Sequence, residues 1–272
     1  MKKRFYYPIY IIIILIIMYL PIALVIIYSF NESKISSVWS GFSLTWYCEL
    51  FRDRSMFEAL VNSLVLATLS SLSAAVIGTL GASGMARTRL ASGKTGRAQA
   101  QGSKFMEYLS ILPIMTPEII LGMTFLAFFS LLSIPFGMLT LVIAHTAFCI
   151  PYVYLLVRAR LAGLDKSYVE AARIMGASDK RAFYDITLPL VLPAVISGML
   201  ISFAMSFDDV IISVFVAGVH TNTLPMKIYS QIKVGVTPKT NAMCTLIFLF
   251  TVVLCLIAAR LARGKSLKSP IT

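Results

Sequence analysis

Apolar residues occupy this chain in long blocks rather than in the alternating or one-faced stripes of a soluble fold. The first block, about residues 9–30, is nearly continuous and rich in isoleucine. Others follow at about 59–86, 105–132, 138–157, 190–217 and 242–259. Each reaches roughly the 20 residues that an α-helix needs to cross a hydrocarbon layer about 30 Å thick. The pattern predicts an all-α polytopic membrane protein with six transmembrane helices. Pro21 is expected to bend the first helix, and Pro113 and Pro117 interrupt the third. Gly78, Gly81 and Gly84 thin one side of the second, which suits close helix packing. A tight turn is predicted over 133–137, between the third and fourth.

The segments between blocks differ in kind. Residues 31–58 are polar and aromatic, with Trp39, Trp46 and Tyr47, and predict a partly interfacial loop. Residues 87–104 are basic and rich in glycine, serine and glutamine, which predicts a mobile loop. The chain thus divides into residues 1–58 (first helix and outer aromatic loop), a five-helix core over 59–260, and a basic tail over 261–272.

Composition sharpens this picture. With 58% hydrophobic and 13% charged residues, the chain is not a soluble domain. Its net charge of +12 would suit nucleic acid, yet no Lys or Arg interrupts the apolar blocks, so the basic residues answer to topology and lipid headgroups. If sides alternate from the N-terminus, one side receives 18 of the 24 Lys and Arg. The positive-inside rule then places both termini and the 158–189 connection in the cytoplasm. The basic N-terminus followed by an apolar run imitates a signal peptide, but the run is too long and lacks a small-residue cleavage site, so it is read as a retained span. Cys48, Cys149, Cys244 and Cys255 have no metal-ligand spacing and are read as small packing residues. Gly93-Lys94-Thr95 ends like a phosphate-binding loop, but Thr88 stands where the first glycine is required and no strand precedes it. No ATPase is expected within this chain.

Ionisable residues inside the blocks are all acidic except His145: Glu107 and Glu118 in the third, Asp208 and Asp209 in the fifth. At about 1.5 Å per residue, Glu118 and Asp208 belong to the middle or outer half of the bilayer. A carboxylate there costs about 2.5–3.5 kcal/mol on insertion scales. With no Lys or Arg in any block, these acids need water, a partner chain or a cation, and a negatively lined path attracts cations. Two readings stay open for several residues. Glu118 follows Pro117 and suits either a cargo path or the capping of a half-helix. As adjacent residues on a helix, Asp208 and Asp209 point about 100° apart, so both cannot face one path squarely and one can bond a neighbouring helix or partner subunit, with Ser206 in support. His145 is a packed polar residue or a proton relay, and packing is favoured. Trp46 is an interface anchor or, through its aromatic face, a contact for an ammonium group.

The 165–189 connection is charged yet patterned. Val169, Ala172, Ile174 and Met175 suggest an apolar face, Gly176 permits a tight bend, and Ala182, Phe183 and Ile186 resume the pattern. Asp165 and Ser167 are candidate N-caps, and Pro189 marks entry to the next helix. A short helix, a glycine turn and a second short helix are predicted. Through Glu170, Ala171, Ala172, Gly176, Ile186, Leu188 and Pro189 this segment resembles the EAA loop of ABC-importer permeases. Ser206 to Val210, Leu224 to Tyr229 and Pro117 to Ile120 look like the spermidine/putrescine branch of that family. The resemblance implies a type I ABC importer permease (MetI-like) fold and a non-catalytic permease subunit in a bacterial inner membrane. It implies no cofactor of the chain's own, ATP and Mg being bound by a partner. The partners implied are a second homologous permease subunit, two copies of an ABC ATPase and an extracytoplasmic substrate-binding protein. Membrane lipid surrounds the chain, and nucleic acid is not a partner. Coupling to the ATPase would run through Glu170, Ala171, Ala172, Gly176, Asp179, Leu188 and Pro189. The cargo path would involve Glu118, Ser206, Asp208, Asp209 and Trp46. The competing reading is an ion-coupled secondary transporter or cation channel using the same acids, which leaves the patterned loop unexplained.

Overall fold

In a computed structural model the described residues are 3–33, 38–91, 105, 108, 110–165, 167–219 and 221–266. Gly93-Lys94-Thr95 and Glu107 lie outside them. Among the described residues the regular structure is helical, with one isolated antiparallel bridge between Asn31 and Phe42.

Two compact units emerge. The smaller comprises Met1–Phe57 and Lys227–Thr272. Its helices are α1 (Lys3–Tyr28), α2 (Thr45–Arg52) and, later in the chain, most of α11 (Leu224–Val234) and α12 (Pro238–Ser266), the last of which packs on both α1 and α2. The most apolar stretch of α1 buries none of its residues within the chain, as expected of a helix facing lipid or another subunit. The α1–α2 connection folds around Asn31, which is fully buried. Its side-chain oxygen accepts the backbone N–H of Ser40 at 3.0 Å, and its amide donates to the Val38 carbonyl at 2.7 Å. Phe30 stacks on Phe42 above this knot.

The larger unit, Glu58–Met226, holds the core. It contains most of α3 (Arg54–Ala91), a short α4 over 110–115, α5 (Glu118–Leu131), α6 (Met138–Ala162), the 165–189 connection, α9 (Leu188–Asp208) and α10 (Ile211–Val216). Buried Phe148, Cys149, Val153 and Val157 on α6 anchor its core cluster. Glycine lets three helices close up here. A Cβ on Gly78 of α3 would stand 2.9 Å from the Val153 Cβ, and one on Gly198 of α9 would stand 2.9 Å from the Val153 Cα. Gly81 only approaches the Tyr154 ring and Gly84 meets nothing within 4 Å, so of the three glycines expected to pack, Gly78 makes the close contact. The predicted 133–137 turn is present, with Ser133 at φ +54.

Several expectations need correction. The second helix starts earlier than predicted and runs to Ala91, so the first residues of the predicted basic loop are helical. Of the six crossings expected, four are long and apolar enough to cross a membrane over the described residues: Ile9–Tyr28, Arg54–Ala86, Met138–Ala162 and Asp179–Asp208. Glu118–Leu131 and, within α12, Pro238–Val253 are shorter apolar helical stretches. The third apolar block is divided at Pro117, as expected, since Pro117 supplies no N–H and starts α5 afresh as its N-cap, but Pro113 lies within α4 and does not interrupt it. The fifth block is not one helix: α9 stops at Asp208, Asp209 is extended at φ −67 and ψ 132, and α10 begins two residues on.

Candidate functional site

The connection expected to couple is the helix–turn–helix its residues predict. The Asp165 carboxylate accepts the Ser167 N–H at 2.9 Å, and this bond with the Ser167 hydroxyl holds its pKa below the ordinary value. From there α7 (Ser167–Ile174) runs to Gly176 at φ +86, a left-handed conformation that favours glycine. The Ala177 N–H reaches back to the Ala172 carbonyl at 2.9 Å and the Gly176 N–H to that of Arg173 at 3.0 Å, which closes the helix end. Ser178, which the sequence reading passed over, caps α8 (Asp179–Arg181) by accepting the Arg181 N–H. Arg173 and Asp179 pair across the turn at 3.0 Å, both exposed.

The second short helix does not end before the membrane. A π-helical turn, Ala182–Thr187, carries it without a stop into α9, where the Leu188 N–H bonds to the Phe183 carbonyl. Pro189 in the first turn of α9 has no N–H to give, and a widened turn beside it accommodates the missing bond. The predicted apolar face also divides. Ala172 and Ala182 are buried, but Ile174 and Met175 are 87% and 80% exposed, and Tyr168 and Tyr184 are exposed as well. Glu170, Ala171 and Pro189 are exposed, and Leu188 is half-buried. The loop therefore presents an outer surface of apolar residues and charges of both signs that no described residue of this chain covers.

The intramembrane acids separate into two environments. Asp209 is 9% exposed and saturated. Its carboxylate accepts the backbone N–H groups of Ile212 (3.2 Å) and Ser213 (2.9 Å) and the Ser213 hydroxyl (2.9 Å), so it caps the first turn of α10. His145, fully buried on α6, stands with Nε2 3.5 Å from that carboxylate and 3.1 Å from the Ser213 hydroxyl. Its Nδ1 lies 2.8 Å from the Ser206 hydroxyl, which is 2.9 Å from that of Ser70 on α3. Ser206 is thus held in a buried network, and His145 is packed and hydrogen-bonded.

Asp208 and Glu118 are different. Asp208 is exposed at the last residue of α9, and Glu118 is half-buried in the first turn of α5. Neither carboxylate has a hydrogen-bonding or cationic partner among the described residues. Glu118 lies within electrostatic reach of both aspartates, so three carboxylates share one region of the larger unit. Trp46 belongs to the smaller unit, where its indole N–H donates to the Asn31 carbonyl at 2.7 Å. The Asp209–His145 pairing was not foreseen; two polar residues in separate apolar blocks were its only trace in the sequence.

Comparison with known proteins gives a concordant result. Residues 95–264 match the family described as binding-protein-dependent transport system inner membrane component. The chain is 39% identical over 236 residues to the putrescine transport system permease protein PotI of Escherichia coli (strain K12), covering 85% of this chain and 81% of that protein. It is 36% identical over 249 residues to the spermidine/putrescine transport system permease protein PotC of the same strain, covering 92% and 90%. In fold it is similar to a chain of a bacterial ABC transporter involved in the import of the acidic polysaccharide alginate, with a TM-score of 0.74 at 13% identity, covering 95% of this chain and 97% of that one.

Proposed function

Because this chain belongs to the family of binding-protein-dependent transport system inner membrane components, we propose that it is the permease subunit of an ATP-driven importer whose cargo is a polyamine. The family is one of transport components, not of enzymes, so the chemistry asked of the chain is to bind, pass and release. The observation that carries the cargo class is the pair Asp208 and Glu118: carboxylates in membrane segments with no cationic partner among the described residues. A flexible aliphatic dication supplies that charge and leaves with it, and the relatives named for putrescine and spermidine agree.

In this reading the two shorter apolar helices complete six crossings, with both termini and the coupling loop in the cytoplasm, where positive charge concentrates. ATP and Mg are bound by two copies of a partner ATPase, and no cofactor resides in this chain. A second permease subunit completes the path, and a binding protein delivers cargo from outside. Mechanism follows from the two parts of the site. The surface formed by Tyr168, Ile174, Met175 and Glu170 seats on the ATPase, and Gly176 fixes the angle between its helices. Closure of the ATPase pair displaces that surface. The unbroken run from Asp179 to Asp208 transmits the displacement to the acid at its far end. The path then exchanges outward-open for inward-open, two states whose balance the nucleotide biases.

Purified with its partners in lipid vesicles, the transporter should take up putrescine only with ATP and binding protein present. Asp208→Asn should cut uptake by roughly tenfold or more while the complex still assembles. Full uptake by Asp208→Asn at limiting cargo removes that residue from the path.

A further inference from the structure

A break inside a membrane helix frees the last carbonyls of one half and the first N–H groups of the other. At 208–210 the N–H groups are taken by Asp209. That leaves a buried anion, and the one side chain among the described residues that hydrogen-bonds on both sides of the break is His145. It reaches Ser206 on α9 through Nδ1 and Ser213 on α10 through Nε2, from a third helix, α6. The Ser213 hydroxyl donates to the Asp209 carboxylate, so its oxygen accepts from Nε2–H, while Nδ1 shares a proton with the Ser206 hydroxyl.

We propose that His145 is a positioning residue for cargo passage: by tying Ser206 to Ser213 and Asp209 it fixes the angle of the break, and with it the place of the Asp208 carboxylate at the end of α9. The proposal rests on the reading of Asp208 as the cargo-facing acid. A ring with a nitrogen on each side suits the task. Asparagine can imitate Nδ1 and glutamine Nε2, but neither spans both, so neither substitute restores the full tie. His145 touches no cargo in this account. Its effect runs through Asp208, which is adjacent to the residue it holds.

The test uses the complete transporter in vesicles with putrescine as the probe, read as putrescine imported per ATP hydrolysed. His145→Ala should lower that ratio roughly tenfold, the factor one orphaned buried polar group amounts to. Ser213→Ala, a gentler change that also unties one side, should lower it less and in the same direction. The combination of His145→Ala with Asp208→Asn should be no worse than Asp208→Asn alone, because both act at one place. A parental ratio in both His145→Ala and Ser213→Ala overturns the proposal, as does a double variant that loses the product of the two single effects. If Asp208→Asn itself imports at the parental ratio, the cargo reading fails and this proposal fails with it. If Asp208→Asn is impaired and the other two are not, the positioning role alone is wrong.

Discussion

Asp208 and Asp209 adjoin in sequence and differ in almost every physical respect. Asp209 has three donors on its carboxylate, while Asp208 is exposed with none among the described residues. Their substitutions should therefore fail differently. Asp209→Asn weakens the charge-assisted bonds that close α10 and should cost about 1–3 kcal/mol of stability, read by thermal unfolding in detergent. Asp208→Asn should leave that transition within about 0.5 kcal/mol. Nothing in the sequence distinguishes the two, because the difference arises from a helix break that no proline or glycine announces. The glycines make a parallel contrast. Gly198→Ala drives a Cβ against the backbone of Val153 and should destabilise by about 1–3 kcal/mol. Gly84→Ala meets open space in a helix and should stabilise by up to about 1 kcal/mol, by the same measurement.

At the scale of elements, the 165–189 connection was the most legible part of the chain. Gly176 marked the turn and Asp165 the entry, since caps and left-handed positions depend on local residue chemistry. The π-helical turn was not legible, because a bond from i to i+5 has no residue signature of its own beyond the nearby Pro189. Nor was the exposure of Ile174 and Met175, since an apolar residue meant for a partner looks in sequence like one meant for the core. Ile174→Asp should reduce recovery of the ATPase on purification of the complex by roughly tenfold, yet shift the permease's own unfolding by less than about 0.5 kcal/mol. In the smaller unit, burial pushes the Asp53 carboxyl up, but the Lys239 bond at 3.1 Å, the Met56 N–H and the charges of Lys239 and Lys227 outweigh it and hold its pKa below 3.8. A lowered folded pKa means that the Asp53 contribution is complete above about pH 3.8 and fades as pH falls through the folded value. Lys239→Ala should move that titration upward, as followed by NMR.

Across the whole molecule, charge segregation and block length made the helical membrane class legible, because a bilayer imposes coarse rules that composition must obey, while the family was legible only through the motif from Glu170 to Pro189 and the short matches beside it. What they could not give was the division of labour among the acids, which depends on packing between segments far apart in sequence: His145 meets residues 61 and 68 positions away. The account as a whole makes this chain a path for a cation, driven by a motor that the chain does not contain. Its most direct test is putrescine uptake into vesicles holding the permease pair, with and without the ATPase subunits, binding protein and ATP present throughout. Uptake that appears only with the ATPase, and falls roughly tenfold or more in Asp208→Asn, is the predicted result. Equal uptake without the ATPase would contradict it.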